Sequence, residues 1–357
     1  MNAISSSTAS GNLSSRTARG FTLIEVLVAS GITLLLSGFM VVIVGNVTGF
    51  WSRTSGRISA ESQARYALDQ LTLDLQSAIY RDDGATWLAV SVPANTATSG
   101  SVWVTTGAVT GNLKPSTATG TTNPTLTYGA ANIANGTFGP AGAWLRFFTT
   151  KRGANTATDV TTLSAPVAVG WQIIRRASAT NTANIDRRYF LHRAEVTPAN
   201  TLNTGFDITS AAYSGTAAAT GNTGTLGTAR SVRIPLDLGT IIAENVIDFG
   251  VYFYTRPTTG ATSAAPIRIF PAEKAPFETI HLANRPPRSG TAITQFPEEA
   301  EIMIRVLTDE GAAQIAAFEN GRMTLPAGRS AAQYWWDIAV AKSQVFTRRV
   351  VLRAQTL

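Results

Sequence analysis

Apolar residues fill nearly every position from Phe21 to Trp51, and Glu25 is the only charged side chain in that run. About 20 residues of helix, at 1.5 Å rise each, cross a hydrocarbon core, so the run predicts a spanning helix with length to spare. Past Glu61 the pattern becomes amphipathic. Ala64, Leu68, Leu71, Leu75, Ala78 and Ile79 recur at helical spacing, with Arg65, Asp69, Asp74 and Gln76 largely elsewhere. Together the two stretches predict one N-terminal helix about 60 residues long, running through Tyr80 and stopped by Asp82-Asp83-Gly84.

Glycines punctuate that helix. Gly45, Gly49 and Gly56 make the junction its weakest part, because a glycine in a helix interior costs about 1 kcal/mol relative to alanine. Gly31, Gly38 and Gly45 are spaced by seven and fall close to one face, where small side chains let membrane helices approach closely.

Beyond Gly84 the period shortens. β-branched and aromatic segments separated by Thr, Ala, Gly, Asn and Ser predict strands at Trp87–Val92, Val102–Thr105, Trp144–Thr149, Val167–Arg175, Arg188–His192, Val232–Leu236, Val246–Thr255, Glu301–Leu307 and Gln344–Leu352. Val251-Tyr252-Phe253-Tyr254 alternates poorly and reads as buried on both faces. Asp309-Glu310 opens a short helix through Phe318, with Asn320-Gly321 as its stop. Two stretches, about 93–139 and 197–228, are rich in Thr, Ala, Asn and Gly and read as long, poorly ordered loops. The fold class is therefore α+β: a membrane helix over 21–51, an amphipathic extension over 52–83, and a β-rich globular part over 84–357 that carries those loops.

Composition narrows the chemistry. The 357-residue chain has no cysteine, which removes disulfides and cysteine-ligated metals. The net charge of +7 is concentrated between Ala141 and Arg193, where eight basic residues meet two acidic ones. Arg175-Arg176 and Arg187-Arg188 flank a polar loop near Trp171, Tyr189 and Phe190. Such a patch can bind single-stranded nucleic acid by charge and stacking. It reads better as the solvated end of a β-hairpin whose aromatics face the core, and nucleic acid is not expected as a partner. His192 and His281 lie far apart with no second ligand at turn or helix spacing, so no metal is expected. Asp82-Asp83-Gly84 and Asp309-Glu310-Gly311 could each hold calcium only if neighbouring carbonyls joined in, since calcium takes about six to eight oxygens and neither turn supplies them alone; they read better as solvated turns. Phosphate-loop, nucleophile-elbow and zinc-peptidase motifs are absent from the sequence. The expectation is a protein without catalytic residues or cofactor.

That leaves the lone acid. A carboxylate in a spanning helix costs roughly 2.5–3.5 kcal/mol at the bilayer centre and less near its edge. The stretch Gly20-Phe21-Thr22-Leu23-Ile24-Glu25, after a leader bearing Arg16 and Arg19, closely resembles the processing site of type IV prepilins and type II secretion pseudopilins. The resemblance implies cleavage after Gly20 by a prepilin peptidase, N-methylation of Phe21, and Glu25 as the assembly residue. Residues 1–20 are then a leader, held in the cytoplasm by its arginines. Glu25 would pair with the new amine of a neighbouring subunit, two opposite charges offsetting part of each other's desolvation. Implied partners are other pilin-like subunits, an inner-membrane assembly platform and lipid. The implied location is the inner membrane, single-pass, with the globular part periplasmic.

The C-terminal pattern is similar to that of J-type minor pseudopilins: a strand introduced by Pro297, an acidic turn, and a closing strand with Arg348-Arg349. The chain also resembles the C component of the Verru/Chthon cassettes. Val42 stands where type IV major pilins often place a proline, which leans toward the pseudopilin side. The implied function is filament assembly in a type II secretion-like system. The rivals are an adhesive or DNA-binding minor pilin using 141–193, and a single-pass envelope protein with an unrecognised enzymatic site.

Overall fold

The structure is a computed structural model that describes residues 21–91, 142–152, 164–177, 187–214, 241–256, 265–271, 280–319, 321–329, 331–352 and 355–356. The leader, the 93–139 stretch, and the strands expected at Val102–Thr105 and Val232–Leu236 lie outside the described residues. The chain divides into two compact units, Met1–Ser52 and Arg53–Leu357. The long helix, α1, spans Leu23–Gln76 and contributes to both.

Within the first unit every large apolar side chain from Phe21 to Trp51 is exposed. In the second unit α1 is amphipathic as its pattern requires: Ala60, Ala64, Ala67, Leu68, Leu71 and Leu75 are buried, whereas Arg65, Asp69 and Gln76 are exposed. The helix ends four residues short of Tyr80. Ile79–Tyr80 instead forms strand β1, paired in parallel with Gln355–Thr356, and Ala78 bridges Thr149. A β-branched and an aromatic residue find backbone partners and burial there, and tertiary pairing overrides helical periodicity.

Two antiparallel sheets make the globular core. The first has six strands: β2 (Leu88–Ser91), β3 (Trp144–Arg152), β4 (Ser164–Ala177), β5 (Arg187–Glu195), β6 (Ile241–Glu244) and β9 (Ile280–Ala283), in the order β6-β5-β4-β3-β2-β9. The second has four: β7 (Val246–Thr255), β8 (Ile267–Phe270), β10 (Glu299–Leu307) and β11 (Ser343–Val351), in the order β11-β10-β7-β8. Gln355–Thr356, the partner of β1, is β12. Buried side chains of both sheets and of α1 form one continuous apolar cluster.

Three further expectations are corrected. Asp74 is buried rather than turned away from the apolar stripe. In β7, Tyr252 and Tyr254 are half-buried while Val251 and Phe253 are fully buried, so 251–254 alternates after all; the stretch buried on both faces is 246–251. Residues 197–214 of the 197–228 region are ordered, with α2 (Pro198–Thr204) and α3 (Ala211–Ser214) placing Ile208 and Tyr213 in the core, while 215–228 lie outside the described residues. Thr197 caps α2 by accepting from the Asn200 N–H at 3.4 Å, and the Tyr213 hydroxyl donates to the Gly205 carbonyl at 2.7 Å. Small polar residues thus supply caps and turns, and order there comes from Tyr213, Phe206 and Ile208 rather than from periodicity.

The helix expected at Asp309–Phe318 is α4 (Asp309–Glu319), and a further helix, α5 (Ala331–Ala341), follows. They close over β5: Glu319, buried, accepts from the Tyr189 hydroxyl and from Trp335 Nε1 at 2.9 Å.

Candidate processing and assembly segment

The first described residues form a compact polar constellation at the head of α1. Thr22 precedes the helix, and its hydroxyl accepts from the Glu25 N–H at 3.3 Å. Glu25 Oε2 reaches back to accept from both the Thr22 N–H and the Thr22 hydroxyl, each at 2.9 Å. This reciprocal arrangement is a capping box, in which a residue at the helix mouth and a carboxylate three positions on satisfy each other's orphan donors. Phe21 and Val26 occupy the two positions that a hydrophobic staple would use. Glu25 lies in the first turn, where the helix dipole favours negative charge. The acid therefore has an intrachain partner, one that was already readable in Thr-Leu-Ile-Glu and that charge reasoning alone passes over. Only Glu25 Oε2 takes part in these bonds.

Farther along, Ser30, Thr33 and Thr48 fold their hydroxyls onto carbonyls of the preceding turn at 2.8–2.9 Å, leaving an apolar exterior. Gly31, Gly38 and Gly45 have no neighbouring atom within 4 Å of an added Cβ, so their faces are open in the single chain. By length and composition α1 can cross a membrane, the one helix among the described residues that can. Gly20 itself lies outside the described residues.

In the second unit the extension of α1 is held by a polar clamp that sequence reasoning missed. Asp74 accepts from Trp171 Nε1 at 2.9 Å and, through both oxygens, from Arg193 Nε at 2.7 Å and Nη2 at 2.9 Å. Arg193 Nη1 donates to Glu195 at 2.6 Å, and Thr149 Oγ1 donates to the Asp74 carbonyl, one of the helix's last, at 2.8 Å. Trp171 and Arg193 are cross-strand partners, so one face of β4–β5 presents both donors to the helix. Burial pushes the Arg193 guanidinium down, but its bonds and attraction to Asp74, then Glu195, raise its pKa overall. The sequence signal was an aspartate three residues after Leu71 and four before Ala78, at helical spacing with the apolar stripe. Gln63 and Asp69 add two more ties, to the Glu244 N–H at 2.7 Å and to Arg348.

The other singled-out residues are dispersed. Trp171, Tyr189 and Phe190 are buried, and Arg175-Arg176 pair with Tyr189 and Arg188 across the β4–β5 hairpin, the arrangement that the core-facing reading expects. His192 is a buried residue of β5 and His281 of β9. His281 Nε2 bonds the Gln295 carbonyl at 2.8 Å, and burial pushes its pKa down to about 4 against a smaller upward pull from that carbonyl. In each of the two acidic turns a carboxylate oxygen is engaged. Asp83 Oδ1 accepts from the Ala85 N–H at 3.0 Å and from Trp87 Nε1 at 2.9 Å, and Glu310 accepts from Lys342 Nζ at 2.8 Å.

Residues 15–41 match the family model of the prokaryotic N-terminal methylation motif. The chain carries a type IV pilin-like N-terminal signal. The match spans the expected scissile pair Gly20-Phe21, the capping box and the first two thirds of the apolar run. No curated protein and no solved structure matches the chain.

Proposed function

We propose that this protein is a filament subunit of the type II secretion-like class, cleaved between Gly20 and Phe21, methylated on the Phe21 amine and anchored through α1 in the inner membrane, its globular part periplasmic. The observation that carries this reading is the methylation motif over 15–41, superposed on a helix mouth whose acid is already engaged. Cleavage at Gly20-Phe21 removes no atom of the capping box, because the box is built from Thr22 and Glu25 alone. A lone subunit in the bilayer can therefore keep Glu25 satisfied while it waits, which lowers the cost of burying a carboxylate. On assembly, the remaining oxygen takes the amine of a neighbouring Phe21, and the pair of opposite charges fixes the axial stagger. The open face at Gly31, Gly38 and Gly45 admits that neighbour. The role is architectural rather than catalytic.

The buried position of Trp171, Tyr189 and Phe190 speaks against stacking on nucleic acid by the 141–193 region. The J-type position in a filament is the finer form of the reading and rests on the C-terminal pattern.

Mass analysis of the N-terminus of membrane-extracted protein tests the reading. The expected product begins at N-methyl-Phe21, and a chain that retains residues 1–20 overturns it. Glu25→Ala is expected to be cleaved normally yet to be depleted from sheared filaments. Equal recovery of that variant would remove Glu25 from assembly.

A further inference from the structure

Edge strands expose unpaired backbone groups, and folded proteins usually shorten, bulge or cover them. Among the described residues, three of the four edges of the two large sheets obey that rule. β6, β8 and β9 have four residues each, and the pairings of β6 and β8 carry register shifts. β11 does not. It runs nine residues, Ser343–Val351, pairs with β10 without a register shift, and has no second partner strand among the described residues. Its outward side chains Val345 and Val351 are 45% and 52% exposed. Near its end, Arg349, Val350 and Val351 line a crevice of about 840 Å³ together with Leu73 of α1. The two arginines that would ordinarily repel an incoming strand are already neutralised: Arg348 binds Asp69, and Arg349 Nε donates to Glu299 at 2.7 Å.

We infer that β11 is a pairing surface for a second copy of this chain, the two strands running antiparallel about a two-fold axis at Thr347. The register follows from the side chains. Centred on Thr347, Arg349 lies opposite Val345, Arg348 opposite Phe346, and Val351 opposite Ser343, so no like charges meet directly. The half-buried set Gln344, Phe346 and Arg348 meets itself on one face, and Val345, Thr347, Arg349 and Val351 meet on the other, as the period of two requires. Shifting the axis to the midpoint between Arg348 and Arg349 sets those arginines against each other, and also joins opposite faces. The contact is isologous and closes at two copies, so it is separate from the open-ended packing proposed for α1 and stands whether or not Phe21 is methylated.

The cysteine-free background permits a direct test on the full chain in detergent micelles. Thr347→Cys should form a disulfide-linked dimer under mild oxidation, at least about tenfold faster than Leu325→Cys, an exposed control in a loop. Mixing Val345→Cys with Arg349→Cys chains should give a mixed dimer that neither gives alone. Equal rates for Thr347→Cys and Leu325→Cys overturn the inference. So does a mixed dimer no more abundant than the self-dimers.

Discussion

Replacing Asp74 by alanine probes the clamp that fixes the extension of α1 on the six-stranded sheet. The side chains of Asp74 and Arg193 are only 11% and 18% exposed, so their attraction is weakly screened. Removing one member of a buried pair costs about 3–5 kcal/mol, because the survivor remains buried without its charge partner. Arg193 retains Glu195 at 2.6 Å, which argues for the lower end. Trp171, fully buried, loses the acceptor for its indole N–H, an orphaned donor costing about 1–3 kcal/mol. These losses overlap, and we expect a total of about 3–5 kcal/mol for Asp74→Ala. Asp74→Asn keeps an acceptor oxygen and should cost about half as much. Urea unfolding of the full chain in micelles, followed by near-UV circular dichroism, reads the difference as a midpoint shift at constant slope. In a double-mutant cycle with Arg193→Met, the pair should cost less than the sum of the singles. A loss below about 1 kcal/mol for Asp74→Ala, with additive doubles, would refute the clamp.

Two further outcomes follow from local geometry. At Gly311 in α4 an added Cβ would sit 2.6 Å from the Lys342 Cβ and 2.9 Å from its carbonyl oxygen, so Gly311→Ala should destabilise by about 1–3 kcal/mol, seen as a lower thermal midpoint; an unchanged midpoint would contradict the close approach of α4 to the end of α5. His281 is held neutral, its pKa lowered from 6.5 to about 4, so the unfolded chain binds the extra proton first as pH falls below 6.5; stability should drop by about 2 kcal/mol between pH 7 and pH 5 from this group alone, with the loss complete only below pH 4, and His281→Gln should flatten that part of the pH profile, whereas an unaltered slope would discount the residue.

The broad layout was legible because it rests on period. Apolar continuity marked 21–51, the three-and-four spacing marked Ala64 to Leu75, and β-branched runs marked β3, β4, β5, β7, β10 and β11. What escaped depends on partners distant in sequence. Helix α1 stops at Gln76 because Ile79–Tyr80 meets Gln355–Thr356, some 276 positions away by the register pair Ile79 and Gln355. Asp74 looks misplaced until Trp171 and Arg193 arrive from β4 and β5. Helix α5 went unread because Tyr334-Trp335-Trp336 resembles a strand, and Glu319 on α4 makes its buried indole acceptable. The processing segment was the opposite case. Gly20, Phe21 and Glu25 are a local signal, and the capping box that accompanies them uses only residues three apart.

The separation between α1 and its anchors sets an order of events during synthesis. The partners of Asp74 lie 75, 97 and 119 residues downstream. At about 5–20 residues per second, the leucine stripe of α1 emerges roughly 6–24 s before Arg193 exists to receive it. For that interval Leu68, Leu71 and Leu75 face water, the bilayer surface or a holding protein. The newborn chain is therefore open to aggregation and proteolysis at a helix that the finished fold clamps through Asp74.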